Sequence, residues 1–410
     1  MRKIISLLLF FLSAIFAPAQ NSLNEYIQSA LKNSPVFADA KNQASSLGMD
    51  SMLIRAAYKP QVNFNSTDIY APTINGFGYD QVNTNGGFYS ALVGANITVV
   101  GKNNLNNKFS SLAIQKQILE LNSKLNERDL KQAVTAQYLT IYGEQQILLN
   151  EKKVLDVLKQ EDVILKNIAE KGIYRQTDYL SFLVSYKQQQ MAYSQQILQA
   201  QNDIYLLNYL SGIIDTNYII LVEPSIILSQ TIRNEKSVQY KQFFLDSMQL
   251  QNSVEQLKYN YKPKLNLFAD AGYSTSFLYH AERNFGTSVG LNFIVPIYNG
   301  NQRKTQLNKI KLSENTRLNY AEFFKKQYNM KQIQLLQQIS ETEKLIAQAK
   351  EQLKISETLL QANNKELEIG DLRIADYIIS LTNYISSQIT AQQLATSKLQ
   401  LINQFNYLNY

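Results

Sequence analysis

The stretch Thr287-Ser288-Val289-Gly290-Leu291-Asn292-Phe293-Ile294-Val295-Pro296-Ile297-Tyr298 decides how the rest of the chain is read. Side chains of an extended strand alternate across its two faces, so Val289, Leu291, Phe293, Val295 and Ile297 share one face. Ser288, Gly290 and Asn292 begin the other, and Ile294 blurs it. Upstream, Tyr89, Ala91, Val93, Ala95, Ile97 and Val99 oppose Ser90, Gly94, Asn96 and Thr98 in the same way. Four alternating segments are expected in all, at about 61–70, 88–100, 264–275 and 287–298. An apolar face outward with a small polar face inward suits a strand wall between lipid and water. Half-buried strands of a soluble sheet give the same alternation.

The intervening sequence is helical. Proline breaks helix interiors and is rejected by central strands, and all seven prolines lie at 18, 35, 60, 72, 224, 263 and 296. Residues 102–169 hold no proline and only one glycine, Gly143, and 302–368 read likewise as one long helix. Ile141, Leu148 and Leu155 recur at seven, as do Leu158 and Leu165, and Ile339, Ile346, Leu353, Leu360 and Leu367 keep that spacing. Sustained sevens mean coiled-coil packing.

The chain repeats itself. Tyr58-Lys59-Pro60 returns as Tyr261-Lys262-Pro263 after 203 residues. Gly172-x-x-Arg175-x-x-Asp178-Tyr179 returns as Gly370-x-x-Arg373-x-x-Asp376-Tyr377, and Asn208-Tyr209-Leu210 as Asn406-Tyr407-Leu408, both after 198. The expected domains are two repeats, 20–230 and 231–410. Each runs short helix, strand, strand, long helix, short helix. Short helices at 21–57 and 177–211, or 234–259 and 375–409, have summed lengths close to one long helix, so a pair can stack end to end along it. Each such column is on the order of 100 Å long at 1.5 Å per residue. Four strands cannot close a barrel, and an open edge inside a bilayer leaves backbone groups unsatisfied. Two chains would supply eight strands around a filled interior, and three would supply twelve around a water-filled lumen. The fold class expected is therefore α with a β-barrel part: a coiled-coil helical barrel with four transmembrane strands per chain, shared in a trimer.

Composition closes other classes. Basic Met1-Arg2-Lys3, apolar Ile4 to Phe16 and the small residues Ala17-Pro18-Ala19 read as a secretory signal peptide over 1–19. There is no cysteine and His280 is the one histidine, which nearly excludes thiolate or imidazole metal centres and hydrolytic triads. Neither a metal nor another cofactor is expected. Gly286-Thr287-Ser288-Val289-Gly290 matches a nucleophile elbow, but its serine starts a strand rather than a sharp strand-to-helix turn. The formal charge falls from +7 to +5 once Arg2 and Lys3 leave with the signal, and no lysine or arginine block is visible in the sequence, so nucleic acid is not an expected partner.

With the duplicated hairpin-and-coil plan, the Tyr-Lys-Pro before the first strand of each half and the Pro296-Ile297-Tyr298-Asn299-Gly300 turn, the chain resembles the TolC family of outer-membrane efflux proteins over essentially its whole mature length. That resemblance implies a homotrimer in outer-membrane lipid that extends into the periplasm. A periplasmic adaptor (membrane fusion protein) and an inner-membrane pump of RND or ABC type would feed it. It also implies a periplasmic gate at Asp376, Asp178, Arg373 and Arg175, and adaptor contacts at the helical tips Gly172, Ile173, Tyr174, Gly370, Asp371 and Leu372. Val289, Leu291, Phe293 and Val295 are expected to face lipid. Gly172 and Gly370 also read as plain helix C-caps, with Asp178 and Asp376 as caps of the next helices. Some family members carry a second acidic residue one turn after the motif aspartate, where this chain has Ile379, so one acidic ring is the most expected. A secreted coiled-coil scaffold or tether explains the signal and the heptads equally well, but not four alternating segments placed two to each half.

Overall fold

Proline and glycine mark most element boundaries in the computed structural model of the protein, which describes residues 22–72, 74–78, 87–215, 217–229, 238–276 and 281–408. The signal segment and His280 lie outside these residues. Helices α1 (Leu23–Asn33) and α2 (Pro35–Ala57) precede strands β1 (Gln61–Tyr70) and β2 (Gly87–Val99), followed by α3 (Lys102–Glu170) and α4 (Gln176–Ser211). Helix α5 (Val238–Asn260) leads into β3 (Lys264–Thr275), a short 3₁₀ turn and β4 (Phe285–Ile294), then α6 (Gln302–Glu368) and α7 (Ile374–Leu408). Two sequence expectations are corrected. The helix expected over 21–57 is interrupted at Ser34, because Pro35 lacks an N–H to continue the ladder and instead starts α2. The last strand ends at Ile294, just ahead of Pro296, which leaves Val295 beyond the strand.

The chain divides into two units. One takes Asp39–Asn122 and Gln239–Phe323 and contains the sheet. Its four strands are antiparallel in the order β1-β2-β3-β4. The register aligns Phe64 with Val93, Val93 with Ala271, Ile97 with Leu267 and Leu267 with Leu291, so one face is largely apolar, with Ser66, Asp68, Thr275 and Thr287 as its polar members. The opposite face carries Asn63, Asn96, Asn266, Asn292 and Asp270, and Ser288 donates to Asp270 at 2.7 Å. All four strand ends that join helices lie at the same end of the sheet, where Val99 pairs with Leu265 and Lys264 with Ile294. Beside the sheet, Asn107 and Asn252 exchange amide-to-carbonyl bonds between α3 and α5.

The other unit takes the residues through Ala38, Ser123–Val238 and Phe324 onward. Here the heptad residues Ile141, Leu148, Leu158, Leu165, Ile339 and Leu367 are buried, while Leu155, Ile346, Leu353 and Leu360 are partly covered. Gly143 lets α7 approach α3 closely, since a Cβ there would lie 2.3 Å from Thr396 Oγ1. The apolar stretch after α4 is extended and held by amides that imitate a neighbouring strand. Gln145 donates to the Ile219 carbonyl (2.7 Å) and accepts from Leu221 N–H (2.9 Å). Asn406 does the same between Ile227 (2.8 Å) and Ser229 (2.8 Å). Among the described residues, no helix is long and apolar enough to cross a membrane.

Candidate functional site

The repeated Gly-x-x-Arg-x-x-Asp motif forms two helical tips, α3 to α4 and α6 to α7. Gly172 (φ +79) and Gly370 (φ +82) take the left-handed conformation that glycine adopts without a Cβ penalty. Gly172 N–H donates to Ala169 (3.0 Å) and Ile173 N–H to Ile168 (3.2 Å), while Gly370 N–H donates to Leu367 (3.1 Å) and Asp371 N–H to Glu366 (3.0 Å). Each pair is a Schellman termination that satisfies the last carbonyls of its helix. Arg175 is the N-cap of α4, without a side-chain cap, and Arg373 directly precedes α7. Asp178 and Asp376 are therefore third helical residues, not the caps the sequence suggested. There they sit against the positive end of the helix dipole.

The two tips touch. A Cβ at Gly370 would meet Ile173 Cγ2 at 3.4 Å. The Tyr174 hydroxyl donates to the carbonyls of Leu372 (2.7 Å) and Leu367 (3.2 Å). Beneath them, Leu158, Leu165, Phe182, Tyr186, Leu367, Ile374, Tyr377 and Leu381 form one apolar cluster. Gly172, Ile173, Tyr174, Gly370 and Leu372 are thus gathered at one place. Asp371 and Arg175 are exposed there.

Charge is distributed unequally. Arg373 grips Asp376 through two bonds, Nε to Oδ2 at 2.8 Å and Nη2 to Oδ1 at 3.0 Å, with the arginine side chain 82% exposed. Among the described residues Arg175 and Asp178 form no such pair. Tyr179 donates to Asp162 Oδ1 at 3.1 Å, whereas its counterpart Tyr377 is fully buried, its hydroxyl pKa driven up by burial and by the charge of Glu161. Glu161 is itself buried, and burial, opposed by Asn364 and reinforced by Glu368, raises its carboxyl above the ordinary 4.5. Glu161 and the Tyr174 anchor were not singled out from sequence as tip-holding residues. The available signal was the asymmetry of the repeat, in which Tyr174 stands opposite Leu372.

The lipid-facing candidates belong to the sheet unit. Val289, Leu291 and Phe293 in β4 are 86%, 67% and 60% exposed, and Val295, beyond the strand, is half exposed.

No protein-family model matches the chain, and no curated protein sequence does. Solved structures do. The outer-membrane channel OprN superposes with a TM-score of 0.75 at 12% identity, over 94% of this chain and 89% of that one. The outer membrane protein VceC from Vibrio cholerae gives 0.74 at 13%, over 94% and 96%. The CmeC outer membrane channel of Campylobacter jejuni gives 0.75 at 13%, over 94% and 85%.

Proposed function

We propose that this chain, which has the fold of TolC-family outer-membrane channels, is the outer-membrane subunit of an efflux or type I secretion duct and catalyses no reaction. The observation that carries this reading is the sheet: four strands, an exposed apolar face, and outer edges on β1 and β4 that pair with no other strand among the described residues. In water such a surface is a liability, whereas in a bilayer its side chains meet lipid and its edges must be paired by other copies. Three copies would give twelve strands around an aqueous lumen lined by the Asn-rich face. Helix α2 supports the same reading, since it buries none of its side chains and leaves Met49, Met52 and Leu53 exposed for neighbouring copies.

The tips would then be the periplasmic gate. Gly172, Ile173, Tyr174, Gly370, Asp371 and Leu372 would meet a periplasmic adaptor fed by an inner-membrane pump of RND or ABC type. Arg373 neutralises part of the Asp376 charge, so the gate is a ring of ion pairs joined by the less encumbered carboxylate of Asp178. Carboxylates in a narrow opening attract cations. Reconstitution in planar bilayers tests both levels. Purified protein should run as a trimer in native mass measurement and form discrete cation-preferring conductances. Asp178→Asn should lower that preference more than Asp376→Asn, whose charge is already paired. A stable monomer without conductance would defeat the channel reading, and channels indifferent to both substitutions would defeat the gate.

A further inference from the structure

Two long helices begin against the ordinary electrostatic preference. A helix N-terminus carries partial positive charge and favours acidic residues, as α1, α4 and α7 have with Glu25, Asp178 and Asp376. Helices α3 and α6, which leave the sheet, have no acidic residue in the first turn and open instead with Lys102 and with Arg303-Lys304. The pattern recurs in the chain around the helical end of the sheet, with Glu255, which pairs with Lys258, as an exception. Segments 51–67, 98–119, 256–269 and 284–313, dispersed in sequence, together hold twelve lysines and arginines and no aspartate or glutamate.

Within this unit a cavity of about 760 Å³ is lined by Lys102, Lys108, Lys262 and Lys264, with Tyr58 and Tyr259 among them and no acidic side chain. The tyrosine rings hold two of the ammonium groups: Lys108 Nζ lies 5.1 Å from the Tyr58 centroid and Lys262 Nζ 4.4 Å from that of Tyr259. Among the described residues none of the four lysines forms an ion pair. Asn104, in the same lining, has a shielded Oδ1 without a hydrogen-bond partner among the described residues, an acceptor suited to a hydroxyl. Four cations with no counter-charge, aromatic faces and a hydroxyl acceptor match a phosphodiester on a glycerol backbone.

We propose that this cavity binds the headgroup of an anionic phospholipid from the periplasmic leaflet, its phosphate among Lys102, Lys262 and Lys264. The assignment rests on the reading of the sheet as a membrane wall, because only then does its helical end lie at headgroup level. The phosphate would also offset the repulsion between Lys102 and the start of α3.

The test is native mass spectrometry of the full-length oligomer in detergent, titrated with phosphatidylglycerol or with phosphatidylcholine of the same chains. The parent should retain phosphatidylglycerol at least fivefold more than phosphatidylcholine. Lys102→Gln/Lys262→Gln/Lys264→Gln should abolish that preference, and the matching triple arginine variant, which keeps the charge, should restore it. Planar-bilayer conductance of the parent, measured alongside, reports on the membrane reading separately. Channels that conduct but show no headgroup preference, or a glutamine variant that keeps it, would sink the lipid site alone. Equal displacement of the lipid by millimolar inorganic phosphate would also overturn it and identify a free-anion site.

Discussion

The tips at 172–179 and 370–377 have the same Gly-x-x-Arg-x-x-Asp-Tyr spacing and nearly the same backbone, yet they hold their side chains differently. Both glycines are left-handed, and both aspartate N–H groups donate to the arginine carbonyl at 3.0 Å. Only Arg373 turns onto its aspartate, and only Tyr377 is fully buried, while Tyr179 reaches Asp162. A repeated motif therefore prescribes a turn, but not the partners its side chains choose. Those partners come from whatever each tip packs against.

The largest expected difference between the tips is in Tyr377. Truncating a fully buried aromatic leaves a cavity, so Tyr377→Ala should lower stability by about 3–5 kcal/mol. Tyr179→Ala, at a partly exposed site, should cost under about 2 kcal/mol. Urea unfolding of the two variants measures this directly, and equal losses would erase the distinction.

Next comes the carboxyl beside the second tip's tyrosine. Glu161 has a folded pKa above 4.5, so the native state holds its proton more tightly than the unfolded chain. Stability contributed this way is present below pH 4.5 and is lost as the pH rises through the raised value. Glu161→Gln should gain about 1 kcal/mol at pH 8, by removing an unpaired buried charge, and change little near pH 4. A stability difference independent of pH would show that the carboxyl is not held in its neutral form.

The contact between the tips should matter less. Tyr174→Phe deletes the hydroxyl bonds to Leu372 and Leu367 and should cost about 1 kcal/mol, with faster hydrogen exchange at both tips. Exchange that quickens only around residues 172–174 would mean that the hydroxyl does not couple them. The smallest effect is the exposed ion pair: Arg373→Gln should cost below about 1 kcal/mol and Arg175→Gln nothing measurable. A larger loss at Arg175 would point to a partner supplied by another copy or another protein.

Much of the fold was legible because its signals are local. Strands at 61–70 and 264–275 and the helix at 302–368 lie where alternation, proline and glycine placed them. Departures have local causes as well: Pro35 splits the first helix, and Pro296 follows the early end of the last strand. The tips were legible as turns, since a left-handed glycine is a property of a few adjacent residues.

Local pattern was enough for the elements, the apolar strand face and the two matched turns, because helical hydrogen bonds reach about four residues and strand side chains alternate about every two. Tertiary structure alone decided that Tyr174 bonds a carbonyl 198 residues away, that Asn406 holds Ile227 across 179 residues, and that Arg373 but not Arg175 is paired. It also gathered lysines that form no block in sequence around one cavity at the helical end of the sheet. Burial and charge proximity depend on which distant segments share a volume, and that is settled by chain topology rather than by any local pattern.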